Sequence, residues 1–226
     1  MQENTNRLEN GMIENYGVLE NGLTVYWTIG LNGGGINQRH DFVDAVKKTG
    51  KVKYKRAFEW CSGPGYIGYN MIDLGICEHI VFSDLYEPAI DFVNITAAKN
   101  NIEGKVTAYL ADEIKKIPTT EKWDLVVANP PHIFNQAQLD VMKDDPEMKD
   151  NIRILFDIDY KIHTEFFQNI TNYLELGADL YISGNGIHPI INELAIAGGL
   201  TFIDYYPALQ LGIHAPHSKI YHFKYL

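Results

Sequence analysis

The chain has 226 residues, a length that suits one sizeable α/β domain better than two. Hydrophobic residues make up 46% and charged ones 21%, close to globular averages, which excludes a disordered or fibrous chain. With 29 acidic residues against 19 basic ones the net charge is -10, so no broad basic stripe for sequence-independent nucleic-acid binding can be assembled.

Cys61 and Cys77 are too few for a disulfide framework or a zinc cluster, and no metal site is expected. The start, Met1 to Asn15, is polar, lacks a signal-peptide core and is expected to be frayed or loosely docked. No apolar run approaches the roughly 18 residues of a membrane span. A soluble, cytoplasmic protein with no membrane partner is expected. Residues 1–50 read as a tail, hairpin and entry helix of the same domain whose core is 51–226.

Tyr16 to Leu19 and Leu23 to Ile29 flank Glu20-Asn21-Gly22, and Asn-Gly between apolar runs predicts a β-hairpin. Gly33-Gly34-Gly35 follows, then a helix from Arg39 to Lys48 with Phe42, Val43 and Val46 on one face. From residue 55 strand, turn and helix alternate. Strands are predicted at Lys55 to Trp60, His79 to Ser83, Val106 to Leu110, Trp123 to Ala128 and Ala178 to Ser183. Helices are predicted up to Leu74, at Pro88 to Lys99 with proline in the first turn, at Ile162 to Leu174 and at Pro189 to Ala197. Leu200 to Tyr206 and Lys219 to Tyr225 look like two strands joined by a long turn. The alternation predicts a mostly parallel sheet covered by helices on both faces, with one antiparallel edge strand.

Ligands of such sheets bind beyond the carboxyl ends of the strands, so the residues just after each strand carry the chemistry. After the first parallel strand comes Glu59-Trp60-Cys61-Ser62-Gly63-Pro64-Gly65-Tyr66-Ile67-Gly68, where glycines let backbone approach a ligand. After the second come Asp84 and Leu85, and a carboxylate there suits a ribose diol. After the third comes Ala111-Asp112-Glu113, and after the fourth Asn129-Pro130-Pro131-His132. Gly63 to Gly68 matches GxGxxG, with an acid about 20 residues on, so a dinucleotide (NAD) site and a tight strand-to-helix turn both remain open on the glycines alone.

The fourth strand end separates these readings. Asp124-Leu-Val-Val-Ala-Asn-Pro-Pro-His132 resembles the Asn-Pro-Pro-aromatic motif of class I S-adenosylmethionine (SAM)-dependent amino methyltransferases. The resemblance extends over the chain from Tyr16 onward, through the leading hairpin and Gly-rich loop. These look like the entry to the small methyltransferase domain shared by release-factor glutamine and ribosomal RNA guanine methyltransferases. It implies a Rossmann-like seven-strand fold with SAM as cofactor. Glu59, Cys61, Gly63 and Gly65 would hold its methionine part, Asp84 its ribose and Asp112 its adenine amine, with Leu85 also against the cofactor. Asn129 would stand beside both cofactor and acceptor. Two positions depart from the pattern: Cys61 stands where the family has glycine, and His132 where it has tyrosine or phenylalanine.

The motif also has a direct physical reading. Each proline forces its predecessor away from helical angles, so Asn129 and Pro130 form a stiff segment. The Asn129 side-chain oxygen and the Pro130 carbonyl are both acceptors for an N–H₂ group. Together they would orient a planar amine toward a methyl donor, with His132 stacking on its plane. An N-methyltransferase is therefore expected. Its acceptor would be a planar amide or exocyclic amine, and the acidic charge favours a protein glutamine side chain or a small molecule over nucleic acid. The alternatives are a ribosomal RNA or DNA base amino methyltransferase and an NAD-dependent oxidoreductase.

Other residues carry weaker signals. His214 and His217, spaced HxxH, have no neighbouring ligand residue in sequence and read as loop. Cys61 reads as turn packing rather than a nucleophile, and Trp60 and Tyr66 as core aromatics. Arg39 and His40 read either as an exposed helix start or as contacts to substrate or to the SAM carboxylate. Asp140 to Asp150 reads as a solvated insertion, with a lid as the alternative.

Overall fold

The computed structural model describes residues 3–7, 13–31, 35–51, 53–132, 135–144, 152–185, 189–209 and 218–226. The HxxH pair, the first two glycines of the Gly33-Gly34-Gly35 run and the end of the Asp140 to Asp150 segment lie outside them.

Strands β1 (Glu3–Arg7), β2 (Ile13–Val18) and β3 (Thr24–Trp27) form a three-stranded antiparallel sheet. The expected hairpin is its β2–β3 part, closed by the Leu19 N–H donating to the Leu23 carbonyl at 2.8 Å, with Gly22 at φ 106°. Of the two expectations for the start, frayed or loosely docked, fraying is corrected over Glu3 to Arg7: these residues pair along β2, a backbone ladder that needs no apolar alternation. The free edge of β3 is satisfied by side chains. Thr96 accepts from the Tyr26 N–H at 3.0 Å, and Asn100 both accepts from Thr24 N–H and donates to its carbonyl.

Beyond α1 (Gly35–Lys48) the chain alternates as expected: β4 (Tyr54–Trp60), α2 (Tyr66–Asp73), β5 (Cys77–Asp84), α3 (Glu87–Lys99), β6 (Val106–Leu110) and β7 (Trp123–Ala128). Two short helices not anticipated, α4 (Gln136–Met142) and α5 (Ile152–Leu155), precede α6 (Lys161–Asn169). Then follow β8 (Leu174–Asn185), α7 (Ile190–Ala197), β9 (Thr201–Pro207) and β10 (Ser218–Lys224). The seven-stranded sheet runs β6-β5-β4-β7-β8-β10-β9. β4 pairs in parallel with β5 and β7, β5 with β6, and β7 with β8. β10 is antiparallel to both β8 and β9, so the antiparallel strand sits one place in from the edge. Burial explains the order: Ile220, Tyr221, His222 and Phe223 of β10 are all buried, whereas β9 is largely exposed and takes the edge.

Strand alternation sends side chains to two cores. Ala57, Ile80, Phe82, Leu125 and Val127 pack with α1 and α2, including Phe42, Val46, Ile67 and Met71. Phe58, Val81, Val126, Ala128 and Leu180 pack on the other face with Phe166 and Phe167 of α6 and Ile191 of α7. Chain order reverses between β4 and β7, which opens a crevice at their carboxyl ends. No helix among the described residues is long and apolar enough to cross a membrane.

Candidate active site

The crevice is a cleft with about 950 Å³ of empty space, its solvent mouth included. Its floor is the turn that joins β4 to α2. Cys61 leaves β4 at φ 52°, a left-handed conformation that costs a non-glycine residue about 1–2 kcal/mol. The Ser62 N–H donates to the Ser83 carbonyl at 3.0 Å, stitching the turn to the neighbouring strand. Gly63 (φ 52°) donates its N–H to Asp84 Oδ2 at 2.8 Å, and the Tyr86 N–H donates to Asp84 Oδ1 at 2.9 Å. Asp84 thus ties the glycine turn to the end of β5. Gly65 (φ 84°) begins α2, and a Cβ there would stand 2.7 Å from the Phe82 ring. Only glycine satisfies both constraints.

Glu59 is 2% exposed, and its Oε2 accepts from the Gly68 N–H at 2.7 Å. Burial pushes its pKa up to about 8, against the pull of the Gly68 and Ile67 N–H groups. A Cβ on Gly68 would lie 2.7 Å from Glu59 Oε2 and 2.6 Å from Phe82, so this third glycine is required as well. Burial, followed by the fields of Asp84, Asp157 and Glu59, raises the Cys61 thiol well above its ordinary pKa, which suits turn packing and opposes a nucleophile.

Asp112 is exposed at the cleft's rim and pairs with Lys116 at 2.6 Å; that hydrogen bond lowers its pKa. Asn129 and Pro131 line the wall next to β7. His132 Nε2 lies 3.0 Å from Asn129 Oδ1, and the His132 N–H donates to the Leu155 carbonyl at 3.1 Å. Burial, with His163 nearby, lowers the His132 pKa to about 3, so the ring is neutral.

The cleft therefore brings together Glu59, Cys61, Gly63, Asp84, Leu85, Asp112 and Asn129 from the ends of four strands. Gly65, Pro130 and His132 are not among the residues that line it. The far wall consists of residues that motif reasoning missed: Ile154, Phe156 and Ile162, with Leu31 and Gly35 on the N-terminal side. For Ile154 and Phe156 the signal is the mostly apolar stretch Ile152-Arg-Ile-Leu-Phe156 after an acidic one. That wall is fixed by Asp157, which accepts from the Ile162 and His163 N–H groups at 3.0 and 3.1 Å and bonds His163 Nδ1 at 2.6 Å. Among the described residues no group of three or more His, Cys, Asp or Glu side chains could hold a metal ion.

Residues 42–144 match the family model described as "Methyltransferase small domain". Among curated proteins, the release factor glutamine methyltransferase of Clostridium acetobutylicum is 29% identical over 120 residues, covering 53% of this chain and 41% of that protein. The chain thus matches about two-fifths of the length of that relative. Among solved structures, the ribosomal protein L11 methylase of Lactobacillus delbrueckii subsp. bulgaricus superposes with a TM-score of 0.58 at 13% identity, covering 82% of this chain and 78% of that one. The SMU.776 protein, solved in complex with S-adenosylhomocysteine (SAH), superposes with a TM-score of 0.59 at 12% identity, covering 96% of this chain and 55% of its own. The sheet order, the crevice at the switch point and these superpositions identify the architecture as the Rossmann-like fold of the SAM-dependent methyltransferases.

Proposed function

We propose that the protein is a SAM-dependent N-methyltransferase acting on a planar amide or exocyclic amine, most directly a protein glutamine side chain or a small-molecule amide. The observation that carries this reading is the presence of Asn129, at the end of β7, in the same cleft wall as Asp84 and the glycine turn. The family match and the glutamine methyltransferase relative support it and favour it over an NAD-dependent oxidoreductase. The net charge of -10 favours a protein or small-molecule acceptor over a nucleic-acid base.

The cleft residues fit this cofactor. Asp84 accepts the Gly63 and Tyr86 N–H groups, which fixes its carboxylate at the end of β5, where it would accept the hydroxyls of a ribose. Asp112, whose ion pair with Lys116 is exposed and of small worth, can accept an adenine amine. The glycine turn presents bare backbone at the start of α2, and Glu59 fixes that helix by accepting the Gly68 N–H. When bound, SAM supplies an electrophilic methyl group on a cationic sulfur. Asn129 Oδ1 then accepts an N–H of the acceptor and aims its nitrogen, so that positioning supplies much of the rate. Ile154, Phe156 and Ile162 keep water from that face. No covalent enzyme intermediate is required.

The test is transfer of labelled methyl from SAM into fractionated cell extract by wild-type protein and by Asn129→Ala. Label that enters a protein or small-molecule amide with wild type alone supports the proposal. Label that enters neither, or that Asn129→Ala transfers equally well, contradicts it.

A further inference from the structure

A second pocket, with about 550 Å³ of empty space, its solvent mouth included, shares no lining residue with the cleft. It lies between Val18, Leu19 and Glu20 of the hairpin turn, Arg39 and His40 of α1, and Asn70 of α2. Its walls are rigid: Asn21 and Leu23 bind the turn to Asp73 at the end of α2 through three hydrogen bonds of 2.8, 2.8 and 3.0 Å.

The pocket is lined by polar groups that the fold leaves unused. Arg39 is 5% exposed, and its Nε has no hydrogen-bond partner among the described residues. Asn70 is fully buried, and neither its Oδ1 nor its Nδ2 has one. Glu20, whose field reaches Arg39, sits instead 3.6 Å from His40 Nδ1, at the exposed mouth. A buried guanidinium without a carboxylate, beside a buried amide with both ends free, is costly unless something else completes it. The expectation of an exposed helix start for Arg39 fails for the same reason.

We propose that this pocket binds a small monocarboxylic acid that also carries a hydrogen-bond donor, the chemistry shared by α-hydroxy and α-amino acids. The planar guanidinium matches a carboxylate. Asn70 Nδ2 donates to one of its oxygens, and Asn70 Oδ1 accepts from the neighbouring hydroxyl or ammonium. Glu20 at the mouth disfavours a dianion such as phosphate and favours an ammonium. The site stands independently of the methyltransferase reading, because it uses none of the cleft's residues.

Thermal shift and calorimetry on the full chain at constant ionic strength test it, with glycolate, glycine, acetate and inorganic phosphate as probes. The expected result is saturable stabilisation by glycolate or glycine, weaker binding of acetate, and none of phosphate. Arg39→Met should weaken the acid by about tenfold to a hundredfold, the loss of a charge-assisted bond. Asn70→Leu should weaken it too and should abolish the preference over acetate. Because Arg39→Met removes a buried charge with no ion-pair partner among the described residues, the free variant should melt no lower than wild type. Three results would overturn the proposal: no saturable carboxylate binding, equal binding by Arg39→Met, or a marked fall in melting temperature in that variant without ligand. Displacement of the acid by SAH would likewise overturn it, by assigning Arg39 to the larger cleft.

Discussion

The Nε2 atom of His132 lies 3.0 Å from Oδ1 of Asn129, the side chain that closes β7. Burial and the nearby His163 hold the His132 pKa down near about 3, so the neutral ring donates Nε2–H to that oxygen at any ordinary pH. That hydrogen bond fixes the orientation of the Asn129 amide. Beside the stacking role that the sequence suggests for His132, this contact supports a positioning role, which we propose for it. His132→Ala should lower turnover by about tenfold, the worth of one hydrogen bond, with SAH affinity nearly unchanged. His132→Gln, which can still donate to Asn129, should recover much of the loss. Single-turnover methyl transfer and SAH titration separate the two quantities. An equal loss in both variants would point to packing alone.

Glu59 gives the stability a pH dependence of defined sign. Its folded-state pKa of about 8 lies above the ordinary carboxylate value, so the folded protein holds a proton that the unfolded chain releases. The stability that this proton contributes is complete below about pH 4, the unfolded value, and is lost as pH rises through about 8. Glu59→Gln keeps the acceptor for the Gly68 N–H and removes the titration. It should flatten the denaturation midpoint between pH 5 and about 8 without lowering it. A variant with the wild-type slope would show that Glu59 does not titrate there.

Asp84→Ala should have two effects. SAH affinity should fall by about tenfold to a few hundredfold, since charge-assisted bonds are worth about 1.5–3 kcal/mol each. Stability should also fall by about 1–3 kcal/mol, because the Gly63 and Tyr86 N–H groups lose their acceptor. Calorimetry for the first and urea denaturation for the second check the pair. Unchanged SAH affinity with reduced stability would confine Asp84 to holding the turn.

Asp179, 1% exposed at the carboxylate, accepts from Tyr54 Oη at 3.0 Å and lies 2.8 Å from His222 Nε2. Burial alone would raise its pKa, but the His222 and Tyr54 hydrogen bonds and the charge of Lys224 hold it below the ordinary value. A depressed carboxylate stabilises the fold above about pH 4, and that stability is lost as pH falls through the folded value. Asp179→Ala should cost about 3–5 kcal/mol at neutral pH and should reduce the steepness of acid denaturation. Chemical denaturation at pH 7 and at pH 3 measures both.

Much of this site is legible in the sequence because its parts are local. The apolar run from Trp123 to Ala128 can only be an interior strand, and Asn129-Pro130-Pro131 must leave it stiffly. The glycine turn and Asp84 follow from the same strand-end logic. What escapes notice depends on partners distant in the chain, or on backbone alone. β1 is polar and pairs only by its ladder, and α4 buries none of its residues, so neither carries a periodic signal. The far wall of the cleft is set by Asp157 capping α6, a contact no motif announces. The place of β10 inside the sheet follows from its burial relative to β9, which emerges only when the layers close.

The central claim is that the cleft at the ends of β4, β5, β6 and β7 holds SAM, and calorimetric titration with SAH tests it most directly. Wild-type protein should bind one SAH per chain, Asp84→Ala should bind it far more weakly, and NAD should neither bind nor compete. Saturable binding of NAD with no heat from SAH would contradict the methyltransferase account at its foundation.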